Sequence, residues 1–217
     1  MNTSLKFVIA DDHVFLLNGL HQALEEKGHD VLGIAKDGIE AVNMILLHQP
    51  DIALLDIDMP LLTGFDVIKM ARVKTIKTKF VVLSFHKELE YIALAKSIGI
   101  SGYLLKEDSI DELDACIKAI QDNEEYFSTS LQKISLKEVD STLKNLNLLT
   151  PSECQILKFI AEEYDTNKIA MSLHVSERTI EKHRSNIIRK INLEVKNNTL
   201  GQWALKNQRF LLEYLNY

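Results

Sequence analysis

The chain has 217 residues, of which 46% are hydrophobic and 26% are charged, and its formal net charge is −6. This length and composition predict one or two folded domains. No apolar stretch reaches the roughly 18 residues that predict a membrane span, and the start, MNTSLKFVIADDH, lacks the features of a signal peptide, so we expect a cytoplasmic protein without a membrane partner.

The first half of the sequence alternates short apolar runs with helical patterns. The runs are FVIA (7–10), VLGIA (31–35), IALLD (52–56), FVVLS (80–84) and GYLLK (102–106). Helical periodicity fills the stretches between and after them, at 14–27, 38–48, 65–73, 87–98 and 109–121. Runs rich in Val, Ile and Leu without polar alternation are typical of strands buried on both faces. The alternation therefore predicts an α/β domain with a five-stranded parallel sheet and helices on both faces.

The second half has a different character. Residues 126–147 are polar and carry no clean strand pattern, which indicates a linker with some helix. Four helices are expected after it, at about 149–162, 166–173, 176–191 and 196–207. Thr150 and Glu153 form a capping-box pattern, and Ser176 is expected to cap the third helix. Residues 1–125 carry 12 Lys and Arg against 21 Asp and Glu, whereas residues 126–217 carry 13 against 10. We therefore expect an acidic domain (1–125), a linker (126–147) and a mildly basic domain (148–217) with different partners.

Polar residues stand at the carboxyl ends of the predicted strands. They are Asp11 and Asp12 at the end of the first strand, Asp56 at the end of the third, Ser84 at the end of the fourth and Lys106 at the end of the fifth. In an open α/β sheet the functional crevice lies at this edge. Clustered carboxylates suit a hard cation such as Mg²⁺, and an aspartate can attack phosphorus to form an acyl phosphate. The pattern therefore predicts a magnesium-dependent phosphoryl-transfer site.

The order of the motifs VIADDH, LLDIDMPLLTG, VVLSF and GYLLK resembles the receiver domains of response regulators over about residues 5–123. The resemblance implies a flavodoxin-like sheet with strand order 2-1-3-4-5. It implies that Asp56 accepts a phosphoryl group from a sensor histidine kinase and that Lys106 pairs with that group. The chain would then be no enzyme beyond its own phosphorylation and dephosphorylation. Phe85 departs from the smaller residue expected after Ser84, which bears on how freely small phosphodonors reach Asp56.

The same resemblance implies a metal site and a switch. Asp12 would bind Mg²⁺ directly, Asp11 mostly through water, and the backbone carbonyl of Asp58 would be a further ligand beside Asp56. Ser84 and Tyr103 would be the switch pair, in which the hydroxyl moves to the phosphate and the aromatic ring turns inward.

LLDIDMP is also similar to the nucleophile motif of haloacid-dehalogenase-type phosphatases, with Asp56 as nucleophile and Asp58 as general acid. In those enzymes the nucleophile strand precedes the acidic pair, whereas here Asp11 and Asp12 come first. There is also no room for a cap domain. A regulator that works without phosphorylation is a third alternative.

The third predicted helix of the second half has two different faces. Ile180, Ile187 and Ile191 form an apolar stripe at helical spacing. The opposite face is basic and hydrogen-bonding, and it carries Arg178, Lys182, Ser185 and Arg189. Glu181 stands at its edge and could accept a hydrogen bond from a cytosine amino group. This pattern is typical of a helix that enters the major groove of DNA.

The stretch 148–212 resembles the LuxR-type helix-turn-helix, and the whole chain resembles the NarL/FixJ class of response regulators. The resemblance implies that Glu181, Lys182 and Ser185 face bases, that Asn167, Thr179 and Arg184 contact the DNA backbone, and that Trp203 and Leu205 lie in the dimer-forming element. His183 borders the apolar stripe and is expected to pack there within reach of phosphate. The implied partners are double-stranded promoter DNA, a second copy of the chain when phosphorylated, and RNA polymerase.

Overall fold

The computed structural model describes residues 4–74, 77–132, 136–193 and 199–215. The chain divides into two compact units. One comprises residues 1–87 and 98–134, and the other comprises residues 88–97 and 135–217. Within the described residues, no helix is long and apolar enough to cross a membrane.

Strands and helices alternate through the first 121 residues, as the sequence predicts. The strands are β1 (Lys6–Ala10), β2 (Asp30–Ala35), β3 (Ile52–Leu55), β4 (Lys79–Ser84), β5 (Gly102–Leu105) and β6 (Tyr126–Phe127). The helices are α1 (Val14–Glu26), α2 (Gly38–His48), α3 (Gly64–Val73), α4 (Leu89–Ser97), α5 (Ile110–Gln121), α6 (Thr129–Gln132), α7 (Leu136–Leu146), α8 (Pro151–Ala161), α9 (Thr166–Leu173), α10 (Glu177–Lys190), α11 (Leu200–Lys206) and α12 (Gln208–Tyr214).

The first unit is built on one parallel sheet in the order β2-β1-β3-β4-β5-β6. The predicted fold class and the order of the first five strands are confirmed. Except for the lysines that begin β1 and β4, the central strands are buried, from Phe7 on β1 to Leu104 on β5, because helices cover both faces of a parallel sheet. Helices α1 and α5 supply apolar side chains to one side of this core, with Leu17, Leu24 and Ile117 among them.

The sixth strand is a correction to the predicted five. Tyr126 and Phe127 pair with Gly102 and Tyr103 of β5. Backbone hydrogen bonds flank the pair, from the Tyr126 amide to the Ser101 carbonyl and from the Ser128 amide to the Tyr103 carbonyl, both at 3.0 Å. Two residues are too few to show a strand period, so only pairing with β5 defines this strand.

The second unit is helical and contains the predicted helix-turn-helix, α9 and α10. The capping box of Thr150 and Glu153 at α8 is confirmed, and the Ser176 side chain caps α10 by accepting from the Thr179 amide. His174 ends α9 in the left-handed region, with φ of 55°. Ile180 and Ile187 of α10 are fully buried, so the apolar stripe fixes which face of this helix stays exposed.

The helix count of the second unit also differs from the prediction. Four helices were expected over 148–217, whereas the described part of that range has five, because α12 follows α11 directly at Asn207. The predicted start of the fourth helix, 196–198, lies outside the described residues, and α11 begins at Leu200. Helix α4 belongs to this unit through its packing on α7 and α12. The Arg209 guanidinium donates a hydrogen bond to the Tyr91 hydroxyl at 2.8 Å, and Lys96 lies 2.6 Å from Asp140.

Candidate functional site

Four polar side chains predicted at the strand ends meet at one edge of the sheet. The backbone sets this alignment: the Asp56 amide donates to the Ala10 carbonyl at 2.8 Å, and the Lys106 amide donates to the Ser84 carbonyl at 2.9 Å. Asp11 directly follows Ala10, so it is brought beside Asp56. Because parallel strands run in register, residues just past their ends become neighbours although they are distant in sequence.

Lys106 joins two buried carboxylates. Its Nζ atom lies 2.8 Å from Asp11 Oδ2 and 2.8 Å from Asp56 Oδ2. The three side chains are only 2–3% exposed. A buried charge is tolerated only when it is paired, and here one ammonium serves two carboxylates, which leaves a negative excess in the pocket.

The pKa values reflect this excess. Burial raises the pKa of Asp56; the hydrogen bond from Lys106 opposes the rise, and the charge of Asp11 adds to it. Burial alone would lower the pKa of Lys106, but its bonds to Asp11 and Asp56 outweigh that effect and raise it. Lys106 is therefore held as an ammonium, while Asp56 lacks enough positive charge around it.

The donor set suits a hard cation. Carboxylate oxygens of Asp11, Asp12 and Asp56 and a ring nitrogen of His13 lie within 4.8 Å of one another. Asp12 is exposed at the rim, whereas Asp11 and Asp56 are buried. Oxygen ligands with an open, solvent-facing side are what Mg²⁺ requires, because it keeps several waters. The residues fit the ion that the sequence predicts, and the raised pKa of Asp56 is what a neighbouring cation would relieve.

His13 was not singled out from the sequence. Its Nδ1 lies 2.7 Å from Asp12 Oδ1 and 3.1 Å from Asp11 Oδ1. The available signal was its position directly after the two aspartates.

The loop after Asp56 is tightly fitted around the acceptor. A Cβ atom at Gly64 would lie 2.2 Å from the Asp56 carbonyl oxygen, so only glycine permits this approach. Gly64 begins α3, and Thr63 caps that helix in a reciprocal capping box with Asp66. The close approach of the two backbones is thus the steric reason for a glycine at the end of the LLDIDMPLLTG motif.

The two predicted switch residues contact the same backbone segment. The Ser84 hydroxyl oxygen accepts from the His86 amide at 3.2 Å, and the Tyr103 hydroxyl donates to the His86 carbonyl at 3.0 Å. Ser84 is 1% exposed and Tyr103 is fully buried. The ring of Tyr103 is thus turned inward. A movement of Ser84 would act on the backbone of His86, whose carbonyl accepts the hydrogen bond from Tyr103.

The two residues that follow Ser84, Phe85 and His86, border the site. The Phe85 ring centroid lies 5.3 Å from Lys106 Nζ, which is cation–π distance. His86 Nε2 lies 2.6 Å from Asp58 Oδ2. From the sequence, Phe85 was noted only as a departure from the resemblance. His86 was missed, because the spacing of Asp58 and His86, 28 residues apart, does not indicate a contact.

The predicted DNA-facing residues lie on the exposed side of α9 and α10. The exposed residues are Asn167, Arg178, Glu181, Lys182, Ser185 and Arg189, and the partly exposed ones are Thr179, His183 and Arg184. The Nδ1 atom of His183 is buried, as expected for a ring that borders the apolar stripe. The structure thus leaves a basic, hydrogen-bonding face open, with the carboxylate of Glu181 at its edge.

The residues proposed for dimer formation both lie on α11. Leu205 is 47% exposed, and Trp203 is partly buried. Because they are two residues apart on a helix, the two side chains point to different sides of α11.

Comparison with known proteins assigns both halves. The family model of the response regulator receiver domain matches residues 7–118. That of the bacterial regulatory proteins of the luxR family matches residues 147–199. The chain is 32% identical over 221 residues to the oxygen regulatory protein NreC of Staphylococcus epidermidis, covering 97% of this chain and all of NreC. The chain belongs to the NarL/FixJ class of two-component response regulators.

Further similarities agree with this family. The transcriptional regulatory protein DegU of Brevibacillus brevis is 30% identical to this regulator over 87% of the chain and 88% of DegU. The solved structure of RcsB from Salmonella enterica serovar Typhimurium, bound to a promoter with the phosphomimetic BeF3-, matches with a TM-score of 0.67 at 22% identity over 98% of both chains, which is a likeness of fold. The receiver domain of NarL from Mycobacterium tuberculosis is 34% identical over 56% of this regulator and 96% of that chain, with a TM-score of 0.51.

The regulator therefore controls transcription through a receiver domain and a LuxR-type DNA-binding domain. Its family is one of transcription regulators and not of classical enzymes. This replaces the phosphatase alternative for LLDIDMP. The Asp58 side chain, which that alternative needed as a general acid, is exposed and paired with His86.

Proposed function

We propose that Asp56 is the phosphoryl acceptor of this regulator and that its phosphorylation by a sensor histidine kinase controls dimerisation and DNA binding. The observation that carries the proposal is the pair of 2.8 Å contacts from Lys106 to Asp11 and Asp56 in a buried pocket at the carboxyl edge of the sheet. We also propose that the chain is divided into a receiver domain (1–125), a linker (126–147) and a DNA-binding domain (148–217). The regulator would act in the cytoplasm, where promoter DNA lies.

The chemistry follows from the side chains. An Asp56 oxygen attacks phosphorus, the phosphorus–nitrogen bond of the phosphohistidine breaks, and the imidazole of the kinase leaves. Mg²⁺ bound by Asp11, Asp12, Asp56 and the Asp58 carbonyl would neutralise phosphoryl charge. Lys106 moves its hydrogen bond from the Asp56 carboxylate to a phosphoryl oxygen, and it stays charged because Asp11 remains beside it. Transfer of this kind depends on positioning and charge neutralisation, and the same groups would support slow self-catalysed loss of the phosphate.

The Ser84 hydroxyl is suited to report the new charge. Its oxygen accepts from the His86 amide, so its hydrogen is available to a phosphoryl oxygen. Ser84 would move toward the phosphate, and the His86 peptide would follow and hold the ring of Tyr103 inward. This shifts an equilibrium between two arrangements of the chain. The dimer would form through α11, with Trp203 and Leu205, and would present two α10 helices to two half-sites.

The acceptor is tested by mass measurement after incubation with acetyl phosphate or phosphoramidate and Mg²⁺. We expect the wild type to gain one phosphoryl group and Asp56→Asn to gain none. Asp122→Asn, the same chemical change at the exposed C-cap of α5, should label like the wild type. Retained labelling of Asp56→Asn would overturn the assignment.

The DNA surface is tested with Lys182→Ala at fixed salt concentration. Loss of an exposed lysine on α10 should weaken binding to a selected promoter site by about tenfold or more, since one good base contact contributes about 1–3 kcal/mol. Lys144→Ala removes the same charge from the exposed side of α7 and should leave binding nearly unchanged. Equal isotherms for Lys182→Ala and the wild type would refute the role of Lys182. DNA binding that is identical with and without label would instead support a phosphorylation-independent regulator. Contact with RNA polymerase is a further expectation for bound promoters.

A further inference from the structure

Glu181 lies at the edge of the basic exposed face of α10, one turn after the exposed Glu177. The carboxylate of Glu181 is 60% exposed, and its neighbours on this face include Lys182 and Ser185. A negative charge brought near DNA phosphates reduces affinity for every sequence. A carboxylate at this position is therefore unfavourable for binding in general, and it needs a compensating role.

Two side chains of the same unit contact the carboxylate. Thr166 donates a hydrogen bond from its hydroxyl to Glu181 Oε1 at 2.7 Å, and Arg184 Nε lies 3.8 Å from the same oxygen. Thr166 is the first residue of α9, after the Asp165 cap. Its bond to Glu181 therefore connects the start of α9 with the second turn of α10. Across residues 4–74, 77–132, 136–193 and 199–215, the structure shows no hydrogen bond to Glu181 Oε2. Oε1 therefore has protein partners, whereas Oε2 keeps its capacity to accept a hydrogen bond.

An oxygen held in this way can only accept. In the major groove, cytosine and adenine carry amino donors, whereas guanine offers acceptors at N7 and O6 and thymine offers an acceptor at O4. Adenine also carries the N7 acceptor beside its amino group, and this acceptor repels a carboxylate. Cytosine therefore offers a donor without a neighbouring acceptor on the same base.

We infer that Glu181, held by Thr166, selects cytosine at one position of each half-site. Glu181 is the specificity-determining residue, and Thr166 is a positioning residue that reaches the base only through it. The inference rests on the proposed binding of DNA by the exposed face of α10. The Glu181 carboxylate would thus lower the affinity for DNA in general and increase the discrimination between sequences.

The test is selection from random duplex DNA by the full chain, treated with acetyl phosphate and Mg²⁺ or left untreated, followed by sequencing. The wild type should enrich a site with cytosine at one position per half-site. Glu181→Gln should lose that preference by about tenfold and favour adenine there, because a glutamine amide can both donate and accept, as adenine N7 and N6 require.

Two variants at Thr166 isolate the positioning role. Thr166→Val keeps the side-chain shape without the hydroxyl, and it should weaken the cytosine preference while leaving the rest of the selected site unchanged. Thr166→Ser retains the hydroxyl and should restore the preference. Glu162→Gln is the charge control, since it removes one negative charge at the C-cap of α8. It should raise affinity for all sequences slightly and leave the base preference as in the wild type.

The outcomes separate DNA binding by α10 from the recognition of cytosine by Glu181. Enrichment of no sequence by the wild type in either condition would overturn the proposed DNA binding and this inference with it. If the wild type enriches a site and Glu181→Gln enriches the same site with the same bases, the inference alone is overturned. A changed preference for Glu181→Gln together with a wild-type preference for Thr166→Val would remove Thr166 from the mechanism.

Discussion

The ring of Tyr103 stacks on the ring of Phe127, with centroids 6.4 Å apart and planes inclined by 14°. The two residues are also register partners on β5 and β6. The proposed switch residue is therefore packed directly on the strand that leads out of the sheet toward α6 and α7. Movement of Tyr103 would have to disturb this packing.

Replacing Phe127 should uncouple phosphorylation from DNA binding. Phe127 is 9% exposed, so Phe127→Ala should cost about 3–5 kcal/mol of unfolding free energy, whereas Phe127→Leu should cost less and keep the chain folded. In Phe127→Leu we expect the ratio of DNA dissociation constants without and with acetyl phosphate to fall toward one. Phe7→Leu, at a fully buried position on β1, should lower stability and preserve that ratio. An unchanged ratio in Phe127→Leu would contradict the coupling.

Two glycine substitutions should have opposite effects. Gly64→Ala would place a Cβ 2.2 Å from the Asp56 carbonyl oxygen, so the loop must shift and stability should fall by about 1–3 kcal/mol, together with a weaker affinity for Mg²⁺. Gly19→Ala, inside α1 with nothing within 4 Å of the new Cβ, should raise stability by about 1 kcal/mol. Urea denaturation of both variants checks the signs, and a neutral Gly64→Ala would show that the loop is not constrained.

Magnesium should stabilise the regulator through the acidic pocket. If Mg²⁺ binds only the folded state, it raises the free energy of unfolding by about 2.7 kcal/mol when its concentration is 100 times the dissociation constant. Thermal unfolding in Mg²⁺ should therefore occur at a higher temperature than in EDTA. Asp12→Asn removes an exposed ligand and should greatly reduce this difference, whereas Asp122→Asn should keep it. An equal Mg²⁺ effect in Asp12→Asn would exclude Asp12 as a ligand.

The buried ion pair of Glu153 and Lys190 should make stability sensitive to acid. Lys190 Nζ lies 2.6 Å from Glu153 Oε2, and Glu153 is 3% exposed. Burial would raise the pKa of Glu153, but the hydrogen bonds from Lys190 and Thr150 outweigh it, so the pKa lies below its ordinary value of 4.5. For an acid with a lowered pKa, the stabilisation is complete above 4.5 and is lost as the pH falls through the folded-state pKa.

Glu153→Gln tests this linkage. It should cost about 1–3 kcal/mol at neutral pH, because Lys190 loses its charged partner. Its unfolding free energy should also fall less steeply than that of the wild type between pH 5 and pH 3, a window set roughly by the carboxyl pKa values. Parallel acid limbs for the two proteins would show that this pair does not govern acid stability.

The sequence predicts the elements whose signals are local. Buried strands show as apolar runs, α2 and α9 have the predicted bounds, and Thr150 and Ser176 mark helix starts because their side chains bond to amides three residues away. It missed β6, because a two-residue strand has no period. It also missed the contact of His86 with Asp58 and that of Thr166 with Glu181, because the partners come from different elements.

The identity of the regulator was determined by the order of residues along the chain. The polar residues stand at or just past the ends of parallel strands, and the geometry of the sheet brings those ends together whatever the loops between them do. They are Asp11, Asp12, Asp56, Ser84 and Lys106. Only the tertiary structure decided how the charges are shared, because burial and distance set which carboxylates one lysine can serve. It likewise decided that His86 links Ser84 to Tyr103 and that Thr166 holds Glu181, since packing between elements leaves no period in the sequence.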